Sequence, residues 1–218
     1  MAQARAVLFD LDGTLADTAP DLGRALNRLR AEHGLAPLPI EVMRARASSG
    51  ARGLVKAGFG STPESEGYDA LRDRFLELYA ENLCVDTRLF DGVPELLSTL
   101  EARPLPWGIV TNKAKRFTEP LLRTLAVGHR AACIVSGDST PHVKPHPAPL
   151  LLAASLLSLP PADCIYVGDD LRDVQAARAA GMRFAAAGWG YLGDGGDPNA
   201  WDADAVASRP GEVLDLLS

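Results

Sequence analysis

Residues 6–15 read AVLFDLDGTL, an apolar run of four residues followed at once by two aspartates, a glycine and a threonine. A run this short cannot form a free-standing helix, and its valine and phenylalanine favour a buried strand. Asp10 and Asp12 therefore stand at the carboxyl end of a predicted strand. Ligands of open parallel sheets bind beyond that end of the strands. The stretch predicts both the first strand of a sheet and the first part of a functional site.

Short apolar runs of the same kind recur along the rest of the chain. They lie at residues 107–110, 133–135, 164–167 and 184–187. Helical spacing of apolar residues marks the segments between them, at 92–102, 114–126, 147–157 and 171–180. Alternation of strands and helices is typical of a parallel sheet covered on both faces. We therefore predict an α/β fold with a doubly wound, Rossmann-like core.

The alternation stops between about residue 17 and residue 86, where only helical patterns occur. These patterns cover residues 21–33, 40–47, 54–57 and 64–83. We interpret this stretch as an all-helical cap domain, residues 17–86, inserted into a core formed by residues 1–16 and 87–218. The hinges are expected near residues 15–17 and 85–90. The glycine-rich segment 193–199 is expected to be a loop.

Composition narrows the class of protein. The 218 residues are 47% hydrophobic and 23% charged, with a net charge of −6, which is typical of globular proteins. No clustered basic face indicates a nucleic-acid partner, and no segment approaches the roughly 18 apolar residues of a membrane span. Residues 1–5 leave no room for a signal peptide, and the three cysteines form no close pair, so we expect a cytoplasmic protein. The sequence leaves open whether it is a monomer or a homodimer.

Polar residues also follow the later strands or precede the later helices. They are Thr111, Asn112, Lys144, Asp169, Asp170 and Asp173. Two like charges about 4 Å apart cost roughly 4 kcal/mol at an effective dielectric of 20, so a cluster of these carboxylates needs a cation. Oxygen ligands suit Mg²⁺. Backbone N–H groups near Gly13 and Asn112 are candidates for holding the oxygens of a phosphate group.

The motifs at 10–15, 111–112, 144–145 and 168–173, in this order, resemble those of the haloacid dehalogenase superfamily. Within it, the chain is similar to the phosphoglycolate phosphatase group over its whole length, helical cap included. A single Asp-x-Asp motif would be weak support, whereas four motifs at strand ends or helix starts are specific. The resemblance implies a Mg²⁺-dependent phosphomonoester hydrolase that acts on a small phosphorylated metabolite.

The resemblance also implies roles for individual residues. Asp10 attacks phosphorus and forms an aspartyl-phosphate, which divides the hydrolysis into two steps. Asp12 protonates the leaving oxygen and then deprotonates the attacking water. Thr111 hydrogen-bonds a transferring oxygen, and Lys144 neutralises charge on the nucleophile and the phosphoryl group.

The implied metal site consists of the carboxylates of Asp10 and Asp169 with the backbone carbonyl of Asp12. Asp173 supports the metal through water. Asp170 either shares that role or caps the helix that follows, since relatives often carry a small hydroxyl residue at this position.

The substrate is left between two phosphate esters. The group as a whole implies 2-phosphoglycolate. The segments 48–53, 107–113 and 190–201 are similar to those of N-acetylmuramic acid 6-phosphate phosphatases, and in the first of them Arg52 is a candidate for gripping a carboxylate or sugar oxygen.

Two other kinds of protein share the core motifs. A sugar phosphomutase of the β-phosphoglucomutase type carries the same residues and passes the phosphoryl group to a sugar instead of water. A catalytically inactive binding module is the third possibility, although such proteins usually lose Asp10 or Asp12, and both are present here.

Overall fold

The computed structural model describes residues 4–193 and 196–217. The first three residues and part of the predicted 193–199 loop therefore lie outside the described residues. The strands are β1 (Ala6–Phe9), β2 (Ala16–Asp17), β3 (Arg88–Leu89), β4 (Trp107–Val110), β5 (Cys133–Val135), β6 (Cys164–Gly168), β7 (Arg183–Ala187) and β8 (Ala205–Ala207). The α-helices are α1 (Ala19–Glu32), α2 (Ile40–Ala47), α3 (Gly50–Phe59), α4 (Tyr68–Glu81), α5 (Val93–Ala102), α6 (Lys115–Thr124), α7 (Ala148–Leu156) and α8 (Leu171–Ala180).

The main sheet is parallel and has the strand order β5-β4-β1-β6-β7-β8. Successive side chains of a strand point to opposite faces, and β1 shows the result. Val7 and Phe9 join the apolar cluster under α5 and α6, whereas Ala6 and Leu8 join the cluster under α7 and α8. The sheet is thus covered by helices on both sides, and the prediction of a doubly wound α/β core is confirmed.

The helices α1 to α4 follow one another between β2 and β3 and share an apolar core of their own. Leu26, Leu54 and Phe75 are fully buried in it. Phe117 and Tyr191 from the sheet-bearing part of the chain belong to the same cluster. The helical segment therefore packs directly over the carboxyl ends of the strands. Within residues 4–193 and 196–217, no helix has the length and apolar character needed to cross a membrane.

The strands and helices of the sheet match the sequence patterns closely, but three strands carry no recognisable pattern. β2 and β3 have only two residues each, and the three residues of β8 are Ala-Val-Ala, with a single larger apolar side chain. The predicted helix 54–57 is longer in the structure and begins at Gly50. Its glycines permit close packing, because a Cβ at Gly53 would lie 2.9 Å from the Arg46 carbonyl oxygen and one at Gly58 would lie 2.7 Å from Leu26.

Asp21 links the two connections through which the chain enters and leaves the helical segment. β2 and β3 pair there as an antiparallel ribbon. The buried Asp21 carboxylate, in the first turn of α1, accepts hydrogen bonds from the backbone N–H groups of Val85, Asp86 and Thr87 at 2.9–3.1 Å and from the Thr87 hydroxyl at 2.7 Å. One side chain thus fixes the returning segment against the outgoing one.

Asp21→Asn should lower the free energy of unfolding by about 2–4 kcal/mol, because the N–H₂ group of the new asparagine would face hydrogen-bond donors that have lost their acceptor. For a chain of this size that corresponds to a fall in Tm of roughly 5–15 °C, measurable by circular dichroism. The matched control is Asp86→Asn. Asp86 lies on the same segment but is exposed and ion-pairs with Arg24, so a change within about 2 °C is expected. Equal shifts for both variants would contradict the role given to Asp21.

Candidate active site

The predicted site residues come together at the carboxyl edge of the sheet. β4, β1 and β6 are neighbours, and Thr111, Asp10 and Asp169 follow directly on their last residues. Lys144 comes from the loop before α7 and is buried against the same edge. The expectation that the site lies beyond the carboxyl ends of the strands therefore gave the correct location for side chains more than 150 residues apart in sequence.

Three carboxylates form the centre of the site. Oxygens of Asp10, Asp169 and Asp173 all lie within 4.8 Å of one another, and all three residues are buried. Lys144 Nζ lies 2.9 Å from Asp10 Oδ1 and 2.7 Å from Asp173 Oδ1. One ammonium group is thus shared by two carboxylates, which leaves an excess of negative charge in the cluster.

Burial and the neighbouring carboxylates raise the pKa values of Asp10 and Asp169. Burial raises the pKa of Asp10 to about 7, with Lys144 opposing and Asp173 adding to the effect. Burial, together with Asp10 and Asp173, also holds the pKa of Asp169 well above its ordinary range. Asp10 Oδ1 is buried and accepts no hydrogen bond of good geometry, although Lys144 is near. A divalent cation would stabilise the ionised form of these groups, and their all-oxygen donor set is compatible with Mg²⁺.

The two oxygens of Asp169 are held by groups from several parts of the chain. Thr14 Oγ1 donates to Oδ1 at 2.8 Å, while Ser48 Oγ and the Tyr191 N–H donate to Oδ2, each at 3.0 Å. Gly13, at φ +87°, leaves the space for this carboxylate, because a Cβ there would lie 2.2 Å from Asp169 Oδ2. The glycine of the first motif is thereby explained by close approach rather than by ligand contact.

Lys144 is positioned by three partners. Asn112 binds its backbone on both sides, with Nδ2 donating to the Lys144 carbonyl at 3.0 Å and Oδ1 accepting from its N–H at 2.9 Å. Its Nζ donates to the Tyr166 hydroxyl at 2.6 Å and to the Val110 carbonyl at 3.2 Å. Asn112 therefore holds the lysine, and Tyr166, a strand residue that sequence patterns assign to the core, contacts its charged end.

Asp12 lies beside this cluster and has its own cation. Lys113 Nζ donates to its two oxygens at 2.9 and 3.1 Å, and Thr18 Oγ1 donates at 2.6 Å. Lys113 is 7% exposed and lies 4.8 Å from the centre of the Tyr79 ring. Burial opposes its charge, but Asp12 more than compensates and raises the pKa of Lys113. Lys113 directly follows the strand-end motif, a signal that sequence reasoning did not assign to a role.

Asp170 caps the helix that follows it. Its side chain accepts from the Arg172 backbone N–H at 2.9 Å, and the Asp173 side chain accepts from the Asp170 N–H at 3.1 Å. Arg172 Nε and Nη2 donate to the two Asp170 oxygens at 2.8 and 2.9 Å. Burial raises the pKa of Asp170, but these bonds to Arg172 hold it below its ordinary value. Of the two roles considered for Asp170, the structure shows the helix cap.

A cavity of about 290 Å³ opens onto the cluster between the sheet edge and the helical segment. Asp10, Asp12, Thr111, Asn112, Lys144 and Asp173 form its polar floor. Its other walls are Leu22, Ala47, Ser48, Ser49, Gly50, Ala51, Phe75, Leu76, Tyr79, Lys113, Ala114, Arg116, Phe117, Asp170 and Arg172. Gly13 and Arg52 do not line it. The Gly13 N–H is bonded to the Ala16 carbonyl at 3.0 Å, and Arg52 is exposed, so the geometry does not support their predicted substrate contacts.

The comparison with family models agrees with this geometry. The model described as haloacid dehalogenase-like hydrolase matches residues 7–187, a span that runs from β1 to β7 and includes the helical segment. The chain belongs to this family. The sequence-based assignment of superfamily, fold and enzyme class is confirmed.

Similar members of the hydrolase family are named as phosphatases. An N-acetylmuramic acid 6-phosphate phosphatase of Pseudomonas putida is 44% identical over 98% of this chain and 96% of that protein. A phosphoglycolate phosphatase of Xanthomonas campestris is 42% identical over 96% and 94%. The crystal structure of a predicted phosphoglycolate phosphatase from Haemophilus somnus superposes over 100% of both chains, with a TM-score of 0.86 and 27% identity. This hydrolase is therefore a phosphatase.

Proposed function

We propose that this phosphatase uses Mg²⁺ and Asp10 to hydrolyse N-acetylmuramic acid 6-phosphate. The observation that carries the proposal is the position of the acidic cluster at the floor of a cavity with mostly apolar walls and cationic groups. The polar floor suits a phosphate group and a cation, and the walls suit a larger organic substituent.

Asp10 and Asp169, with the Asp12 backbone carbonyl, are the proposed ligands of Mg²⁺. Asp173 has a supporting place, because its oxygens already accept bonds from Tyr166 and the Asp170 N–H and one of them pairs with Lys144. When bound, the cation offsets negative charge on the carboxylates and on the phosphoryl oxygens. Removal of the metal with a chelator should abolish turnover, and added Mg²⁺ should restore it.

In the first proposed step an Asp10 oxygen attacks phosphorus while the ester P–O bond breaks. The departing oxygen keeps the electron pair of the broken P–O bond and receives a proton from Asp12. In the second step water attacks the phosphorus and gives a proton to Asp12, and the bond to Asp10 breaks to release inorganic phosphate. Lys113 pairs with the ionised form of Asp12, which is the form that accepts this proton. Proton donation in the first step requires Asp12 to move away from Lys113.

Thr111 and Lys144 are the proposed partners of the phosphoryl group. The Thr111 Oγ1 accepts from the Lys113 N–H at 3.2 Å, so its own O–H remains to be donated to a phosphoryl oxygen. Lys144 is already bound at Asp10 and places a positive charge next to the reacting atoms. Fixed donors of this kind stabilise charge in the transition state of phosphoryl transfer.

The walls of the cavity favour the sugar ester over 2-phosphoglycolate. A two-carbon acid leaves much of a 290 Å³ cavity unfilled and has only one methylene group to place against Phe75, Leu76 and Phe117. The amino sugar has an acetamido methyl group, a ring and a lactyl ether to place there. The deciding experiment compares kcat/KM for the two compounds. A higher value for 2-phosphoglycolate would overturn the choice of substrate but not the phosphatase mechanism.

Arg116 is the proposed partner of the lactyl carboxylate. It lines the cavity and stacks on Phe117 at 4.7 Å, and in the part of the chain that is described it has no ion pair. The cavity's other cations are paired with Asp10, Asp12 or Asp170. Arg116 thus has its charge available for an anionic substituent.

Arg116→Gln should lower kcat/KM for N-acetylmuramic acid 6-phosphate about tenfold, mainly through KM, because one charge-assisted contact is lost. N-acetylglucosamine 6-phosphate is the matched control substrate, since it has the same sugar without the lactyl carboxylate. Its kcat/KM should stay within about twofold. An equal loss on both sugars would remove Arg116 from the proposed site.

A further inference from the structure

Ser48 is a residue of the helical segment that contacts the acidic cluster. It stands at the C-terminal end of α2, and its hydroxyl donates to Asp169 Oδ2 at 3.0 Å across 121 residues of sequence. Asp169 has no exposed surface. Ser48 is thus one of the groups that both orient this carboxylate and cover it.

Arg172 holds Ser48 in that place. Its Nη2 donates to the Ser48 carbonyl at 2.6 Å while its guanidinium forks onto both oxygens of Asp170. Asp170 in turn caps α8 and is fixed at the end of β6. Two hydrogen bonds therefore hold Ser48 on the core: its carbonyl accepts from Arg172, and its hydroxyl donates to Asp169.

The bonds on Asp169 can be counted against its capacity. An ionised carboxylate accepts about four bonds, and Thr14, Ser48 and the Tyr191 N–H occupy three of them. The remaining acceptor position is on Oδ1. Ser48 and the Tyr191 N–H fill Oδ2, so the acceptor capacity left for a cation lies on Oδ1. Asp169 contributes an oxygen to the acidic cluster with Asp10 and Asp173.

We propose that Ser48 is a positioning residue of the metal site: held on the core by Arg172, it orients Asp169, so that cation binding and seating of the helical segment favour each other. The inference rests on the proposed function only in taking Asp169 as a cation ligand. Groups that hydrogen-bond a metal-ligating carboxylate raise affinity by fixing its orientation. Coupling between two sites is reciprocal, so the cation should also stabilise the seated position of Ser48.

The first test is titration of the metal-free protein with Mg²⁺ by calorimetry, without substrate. Ser48→Ala should weaken Mg²⁺ binding about five- to tenfold, and Ser48→Thr, which retains a hydroxyl, should restore most of it. Arg172→Lys should weaken binding similarly, because lysine keeps the charge but cannot hold Asp170 and the Ser48 carbonyl together. Ser155→Ala, an exposed serine on α7, should bind Mg²⁺ as the unaltered protein does.

The second test measures hydrogen exchange of the segment 47–53 with and without Mg²⁺. In the unaltered protein Mg²⁺ should slow exchange there, and in Ser48→Ala and Arg172→Lys that protection should be lost. Mg²⁺ affinity in Ser48→Ala equal to that of the unaltered protein, or equal protection of 47–53, would overturn the inference and leave the phosphatase proposal standing. If the Ser48 and Arg172 variants alter Mg²⁺ binding as expected but the unaltered protein releases phosphate from no ester, the proposed function is overturned and the inference stands.

Discussion

Asp10→Asn should abolish turnover, with kcat reduced by about four orders of magnitude or more. An amide oxygen is a poor nucleophile. The other carboxylates of the cavity floor are already engaged, Asp173 by Lys144 and Tyr166 and Asp12 by Lys113. The measurement is release of inorganic phosphate from N-acetylmuramic acid 6-phosphate and from p-nitrophenyl phosphate with saturating Mg²⁺. Rapid-quench experiments should detect no phosphoprotein in this variant.

The fold should tolerate this substitution. Burial and Asp173 disfavour the negative charge of Asp10, so its removal relieves repulsion, and Lys144 keeps its partner Asp173 at 2.7 Å. Thermal unfolding should therefore show a Tm equal to or above that of the unaltered protein. A variant that stays folded and keeps more than about a hundredth of the activity would show that water attacks phosphorus directly, without an aspartyl-phosphate.

The part of the site that the sequence predicts is the part that strand topology dictates. Asp10, Thr111 and Asp169 each follow the last residue of a strand, and neighbouring parallel strands bring such residues to one edge. Strand topology does not predict the position of Lys144, because this residue lies in a loop. Only the order of the motifs along the chain indicated that it belongs to the site. The family resemblance supplied what residue patterns alone left open.

The residues that sequence analysis missed act through contacts between distant segments. Lys113 meets Asp12 across 101 residues, Arg172 meets Ser48 across 124, and Asp21 meets Thr87 across 66. The pairs of Ser48 and Asp21 are set by how the helical segment packs on the sheet, and the Lys113–Asp12 pair by which two loops meet at the sheet edge. No periodicity or local spacing encodes these placements. Arg52, in contrast, was singled out from the similarity of segment 48–53 to other phosphatases; it is exposed and does not line the cavity.

Asp12→Asn should separate the two chemical steps. Hydrolysis of an alkyl phosphate should fall by about 10²–10⁴-fold, because its leaving oxygen needs a proton that asparagine cannot give. The first step with p-nitrophenyl phosphate should be affected much less, since nitrophenolate leaves without a proton. The second step still lacks its base, so the phosphorylated enzyme should accumulate. Stopped-flow absorbance should show a burst of about one nitrophenolate per active site, followed by slow turnover.

Because the buried Lys113 pairs with Asp12, a second variant is needed to separate loss of the proton donor from loss of this ion pair. The asparagine introduced by Asp12→Asn can still accept from Thr18, but it leaves Lys113, 7% exposed, without its carboxylate, and an unpaired buried charge destabilises the fold. Asp12→Asn combined with Lys113→Met removes both charges and keeps an apolar stem against Tyr79. The burst should persist in the double variant, because it depends on the missing acid–base group and not on the lysine. Equal losses on both esters, with no burst in either variant, would show that Asp12 positions the substrate instead of transferring protons.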